Sequence, residues 1–218
     1  MAIIRLGAED AEGIRRVGMA VKRGAVIVYP TDTVYGIGGN PFDAVAVRRI
    51  MMIKRRDEKP MPVLVSGIDR ALALIEAGEL AKALMHRLWP GALTIVAKRA
   101  AGAPQSQAFG RGTVGVRMPN HGLALKIIEA AGGAVIGTSA NISGHPAARS
   151  IGELDGEIAD AVDLVIDAGM VPGGLPSSVV EVSMEGGEES WVLLRAGAIS
   201  VEVIKAAAGK EMGRGLNR

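Results

Sequence analysis

A chain of 218 residues, 49% of them hydrophobic and 22% charged, is long and apolar enough to bury a substantial core, which excludes a disordered polypeptide. The absence of cysteine excludes disulfides, thiolate metal centres and cysteine nucleophiles, and with only 3% aromatics the core must be built from aliphatic residues and methionine. A net charge of +2 permits an anionic ligand or a transient RNA contact and requires neither. Neither a signal peptide nor a run of about 18 apolar residues is visible, so the expectation is a cytoplasmic protein with no membrane partner.

Along the chain, short apolar runs of strand type alternate with helical spacing. Residues 25–29 read as a buried strand. Asp43 is a candidate N-cap for a helix carrying Val47, Ile50 and Met51. Residues 63–65 read as a strand, 68–74 and 79–88 as helices, and 93–97 and 114–118 as strands. Asn120 is the expected cap of a helix bearing Leu123, Ile127 and Ala131, which Gly132 and Gly133 would stop. Strands at 134–137, 164–166, 179–182 and 191–194 and a helix at 199–208 complete the set. The pattern predicts an α/β fold, a twisted mixed β-sheet flanked by helices, because the order is not strictly βαβ. One domain is expected over residues 1–208, with 102–112 a mobile loop and 209–218 a frayed basic C-terminal tail.

Several motifs are missing. The chain has no Walker A loop and no HExxH, and its three histidines, His86, His121 and His145, lie too far apart in sequence to suggest a metal site. Gly110-Arg-Gly-Thr-Val-Gly115 matches GxGxxG but leads into a strand instead of a helix, so it fails the context that dinucleotide binding requires.

Other segments carry chemistry. Tyr29-Pro-Thr-Asp-Thr-Val-Tyr-Gly36 places hydroxyls, a carboxylate and a phenol where a buried strand ends, as a ligand wall or as a turn. Lys54-Arg-Arg-Asp-Glu-Lys-Pro-Met-Pro62 follows a helix and clusters cations suited to phosphate oxygens or to the negative helix end. In Thr113-Val-Gly-Val-Arg-Met-Pro119, Arg117 stands in an apolar strand, where a charge is costly unless a structural carboxylate or a ligand anion meets it. Gly137-Thr-Ser-Ala-Asn-Ile-Ser-Gly144 offers hydroxyls and backbone N–H groups suited to phosphate or ribose oxygens, or forms a simple turn. Leu175-Pro-Ser-Ser-Val-Val180 and Leu194-Arg-Ala-Gly-Ala-Ile199 say little alone.

Taken in order, these segments resemble the YrdC-like domain of threonylcarbamoyl-AMP synthases, over residues 14–199 and in a short, single-domain form. The resemblance implies a basic concave cavity and a nucleotidyltransferase, an L-threonylcarbamoyladenylate synthase that joins L-threonine, bicarbonate and ATP for threonylcarbamoyl-adenosine modification of tRNA. It implies that Thr33, Tyr35, Arg117, Ser139 and Ser177 form the threonine pocket. Lys54, Arg56 and Arg195 would meet the phosphates, Lys54 and Arg56 as the catalytic cations, and Thr113 and Asn141 would touch the nucleotide. Mg²⁺ would arrive with ATP, with no tightly held organic cofactor, and a downstream transferase would carry the product to tRNA. Two departures stand out. The family reads Lys-x-Arg-Pro where Asp57 follows Arg56 here, so Arg55 is an alternative to Arg56. Leu64 also stands about where some members place a threonine-contacting histidine. The rival readings are an RNA-binding module, weakened by the scarcity of stacking aromatics, and a carbamoyl-phosphate-dependent carbamoyltransferase domain.

Overall fold

The computed structural model describes residues 2–55, 59–185, 188–209 and 215–217. In chain order the elements are β1 (Ala2–Arg5), α1 (Ala11–Lys22), β2 (Ile27–Tyr29), β3 (Gly36–Gly38), α2 (Ala44–Ile53), β4 (Val63–Val65), α3 (Ile68–Leu72), α4 (Glu79–Leu88), β5 (Leu93–Lys98) and β6 (Thr113–Arg117). There follow α5 (Gly122–Ala130), β7 (Ala134–Ile136), β8 (Thr138–Ser139), α6 (Gly156–Ala161), β9 (Leu164–Asp167), β10 (Ser178–Glu185), β11 (Glu188–Arg195), α7 (Val201–Ala208) and β12 (Gly215–Asn217).

The strands form two mixed sheets, where the sequence suggested one. The first runs β1-β9-β2-β3-β8, and the second β12-β11-β10-β5-β6-β4-β7. Parallel and antiparallel neighbours alternate irregularly: β10 is parallel to β5, β5 antiparallel to β6, and β6 parallel to β4. The chain passes from the second sheet to the first between β7 and β8, at Gly137. A Cβ there would come within 2.2 Å of the Leu64 side chain, so a larger residue would force the crossing apart.

Alternation of side chains sorts the strands into cores. In the second sheet, Ile95, Val114, Val116, Val180 and Val182 point to one face and pack with Leu80, Leu84 and Trp191 under α4 and α7. Each fully buried aliphatic side chain contributes about 1.5–3 kcal/mol. On the first sheet, α2 and α6 cover one face. The other face packs on α1 and α5, through Val17, Val21, Ile127 and Ile128. Gly18 lets those two helices meet, since a Cβ on it would lie 2.5 Å from Ala130.

Local signals explain most boundaries. Asp43 caps α2, accepting from the Val45 and Ala46 N–H groups at 2.8 and 3.2 Å. Gly132 and Gly133 both adopt positive φ and stop α5. Three readings change. The cap of α5 is His121, whose Nδ1 accepts from the Ala124 N–H, and not Asn120. Residues 102–112 are tied down, because Ala103 and Ala108 are buried, the Ser106 hydroxyl donates to the Pro41 carbonyl, and Met61 N–H bonds Ala108 O at 2.8 Å. Within the presumed tail, Gly215–Asn217 pairs in parallel with β11; residues 210–214 and 218 lie outside the described residues. Among the described residues no helix is long and apolar enough to cross a membrane.

Candidate functional site

The face of the second sheet that carries Thr94, Val96, Thr113, Gly115, Arg117 and Glu181 lines a cavity of about 440 Å³. Its other wall comes from the first sheet and its flanks, through Thr31, Thr33, Gly36, Thr138 and Ser139. Opposite faces of β5, β6 and β10 thus serve two purposes. In β5 the odd-numbered residues fill the core and the even-numbered ones meet the cavity, and in β6 and β10 the parity is reversed.

Arg117 stands at the polar end, 5% exposed. Its Nε donates to Gly91 O at 2.9 Å and its Nη1 to Thr33 Oγ1 at 3.2 Å, while its Nη2 donates to the Asp32 carboxylate. Burial pulls the guanidinium pKa down, and the Asp32 charge opposes that shift. A structural carboxylate therefore does meet this buried cation. Sequence reasoning treated Asp32 only as part of its motif, since no local pattern connects positions 32 and 117.

Thr31 shapes the turn that presents Thr33. Its hydroxyl donates to Val34 O at 2.7 Å, lies 3.0 Å from Thr33 Oγ1, and accepts from the Thr33 and Val34 N–H groups. Ser177 Oγ pairs with Thr94 Oγ1 at 2.8 Å, and Arg195 Nη2 donates to Ser177 O at 2.8 Å. Ser139 Oγ donates to Asn141 Oδ1 at 2.5 Å. Thr33, Thr113, Arg117, Ser139, Ser177 and Arg195, which come from well-separated segments, thus border one hollow.

Four other expected residues do not line it. The Tyr35 ring is buried in the core under α2, where its hydroxyl donates to Gly169 O at 2.7 Å and accepts from Ala168 N–H at 3.1 Å. Burial raises its pKa, so it braces the wall from behind as a neutral phenol. Lys54 is 2% exposed, and its ammonium donates to Asn141 O at 2.8 Å as well as to Ser139 O. It secures the Ser139–Asn141 turn from beneath. Asn141 acts within that same turn, its Nδ2 donating to His145 O. Arg55 takes a left-handed conformation, φ 48°, and pairs with Glu157 on the exterior. Arg56 lies outside the described residues. Leu64, at the position compared with the family histidine, borders the cavity as an apolar side chain.

Among the described residues no three His, Asp or Glu side chains converge to hold a metal. The cations and hydroxyls of the cavity suit an anion, and the apolar stretch of Val96, Val179 and Leu194 suits a less polar portion of the same ligand.

A family model described as "Telomere recombination", for Sua5, YciO and YrdC proteins, matches residues 19–197. The threonylcarbamoyl-AMP synthase of Bacillus subtilis is 37% identical over 204 residues, 90% of this chain and 56% of its own length. A putative threonylcarbamoyl-AMP synthase of Mycobacterium leprae is 34% identical, covering 92% of this chain and 90% of its own. The crystal structure of Pyrococcus abyssi Sua5 complexed with L-threonine superposes with a TM-score of 0.81 at 31% identity, over 98% of this chain and 62% of that one. The chain thus spans little more than half the length of the Bacillus and Pyrococcus synthases, 56% and 55%.

Proposed function

The chain belongs to the Sua5/YciO/YrdC family, and from that premise we propose that it is an L-threonylcarbamoyladenylate synthase using L-threonine, bicarbonate and ATP. The observation that carries this reading is the single cavity where a buried arginine, an exposed arginine and seven hydroxyl side chains meet. That donor set is matched to two anions side by side, an amino-acid carboxylate and a nucleotide phosphate.

The threonine amine attacks the carbon of bicarbonate, water departs, and a carbamate forms. A carbamate oxygen then attacks the α-phosphorus of ATP, and the bond to the bridging oxygen breaks to release pyrophosphate. Transfers of this kind depend mainly on alignment and on neutralising charge. Arg117, with Thr33, is assigned to the threonine carboxylate, and Ser139 and Ser177 to the remaining polar groups of that pocket. Arg195 is assigned to the phosphates, with Arg56 from outside the described residues, and Thr113 to the nucleotide. Lys54 and Asn141 act by holding the turn that presents Ser139, and Tyr35 by holding the opposite wall. Mg²⁺ comes with ATP as part of the substrate, keeping its waters. The product is an activated acyl group, which a downstream transferase in the cytoplasm would move onto tRNA adenosine.

The test is mass spectrometry after incubation with ATP, L-threonine and bicarbonate. Threonylcarbamoyl-AMP and pyrophosphate should appear together, and omission of either threonine or bicarbonate should abolish both. Carbamoylated product formed only from carbamoyl phosphate would refute the assignment in favour of a carbamoyltransferase. Salt-dependent tRNA retention with no nucleotide turnover would refute it in favour of an RNA-binding module.

A further inference from the structure

One carboxylate borders the cavity without a role in the reaction just described. Strand alternation along β10 sends Val180 and Val182 into the core and turns Glu181 to the cavity. Glu181 stands in register with Val96 of β5, which in turn faces Gly115 of β6. The preceding row holds Val179, paired with Thr94 on one side and Arg195 on the other. The Glu181 carboxylate makes no hydrogen bond or ion pair with any described residue.

An ionised carboxylate only accepts hydrogen bonds. Close to a polyphosphate it is repulsive unless ligand donors face it. The neighbouring row, with Arg195 and the Thr94 hydroxyl, lies two residues along the strand, about 7 Å away. On an adenosine triphosphate whose phosphates meet that row, the donors at such a remove are the 2′- and 3′-hydroxyls of ribose. The 6-amino group of the base lies farther out. We propose that Glu181 is a specificity-determining residue that accepts from the ribose hydroxyls of the nucleotide and so selects ribonucleotides over deoxyribonucleotides. This inference rests on the proposed ATP-dependent reaction.

The experiment measures kcat/KM and calorimetric affinity for ATP, 2′-deoxy-ATP and inosine triphosphate, with the wild-type chain, Glu181→Ala and Glu181→Gln. A hydrogen bond to a charged group favours ATP over 2′-deoxy-ATP by about tenfold or more in the wild type. Glu181→Ala should use the two within about threefold of each other, its ATP value falling towards that for 2′-deoxy-ATP. Glu181→Gln should lie between, because the amide keeps an acceptor and loses the charge. Melting temperatures should stay together, which separates recognition from folding. An unchanged ATP to 2′-deoxy-ATP ratio in Glu181→Ala overturns the assignment of Glu181 while the synthase reading stands. A loss that follows the base, with inosine triphosphate discrimination collapsing instead, also overturns it. A wild-type chain that neither binds nor consumes ATP overturns both readings.

Discussion

Replacing Asp32 by alanine leaves the Arg117 guanidinium without its counter-charge. The two side chains retain 13% and 7% of their exposure, respectively, so this pair is far from a surface contact. Removing one partner of a buried pair costs about 3–5 kcal/mol, because the survivor stays desolvated. Arg117 keeps its bonds to Gly91 O and Thr33 Oγ1, and water reaches Asp32 at its rim, so the lower end, about 3 kcal/mol, is expected. For a domain of this size that is a fall in Tm of about 6–12 °C. The assay is urea unfolding together with thermal melting, run as a double-mutant cycle with Arg117→Met. Removing the arginine first should make the later loss of Asp32 much cheaper, so the cycle should show a coupling of about 1–3 kcal/mol. A single substitution within about 0.5 kcal/mol of wild type, or strictly additive effects, would refute the view that these charges hold one another in the buried state.

Three further outcomes follow from the same geometry. Tyr35→Phe removes the bonds to Gly169 O and Ala168 N–H, so it should destabilise by about 1–3 kcal/mol in urea while leaving the KM for threonine unchanged. Lys54→Met removes the cation that holds the Ser139–Asn141 turn; threonine and ATP KM should both rise, with stability lowered by several kcal/mol at most, and a variant with wild-type kinetics would contradict the role given to Lys54. Burial holds His121 below the ordinary histidine pKa of 6.5, with Asp32 acting weakly the other way, so the folded state prefers the neutral ring that caps α5. The unfolded chain then binds more protons between the folded value and 6.5. The stability from this group is complete above 6.5 and is lost as pH falls below it. Urea midpoints at pH 7.5 and 5.5 should therefore drop further for the wild type than for His121→Asn, which caps without titrating.

Features with a local cause were legible in the sequence. Asp43 beside an apolar helical stripe, the paired glycines after α5 and the apolar runs of β5 and β6 each have a short-range signature. Arg117 also announced that something must meet its charge. What stayed hidden depended on distance along the chain. Asp32 meets Arg117 only because β2 and β6 belong to different sheets that face each other across the cavity. Strands β3 and β8, of three and two residues, are too short for alternation to show, and without them the pattern reads as one sheet. Motif membership likewise did not fix direction. Tyr35 lies two residues from Thr33, yet the Thr31 turn reverses which way each side chain points. Glu181 sits in an apolar run whose alternation could have revealed it as the one carboxylate on the opposite face.

The crossing at Gly137 joins two layers that otherwise enclose a hollow, and this makes the ligand a structural member. An occupant held by Arg117 on one side and Ser139 on the other would clamp the layers together, adding its binding energy to their cohesion. At a hundred times the dissociation constant this amounts to about 2.7 kcal/mol. Saturation should thus slow proteolytic nicking and tighten amide protection on both layers at once, while the outer helices register little.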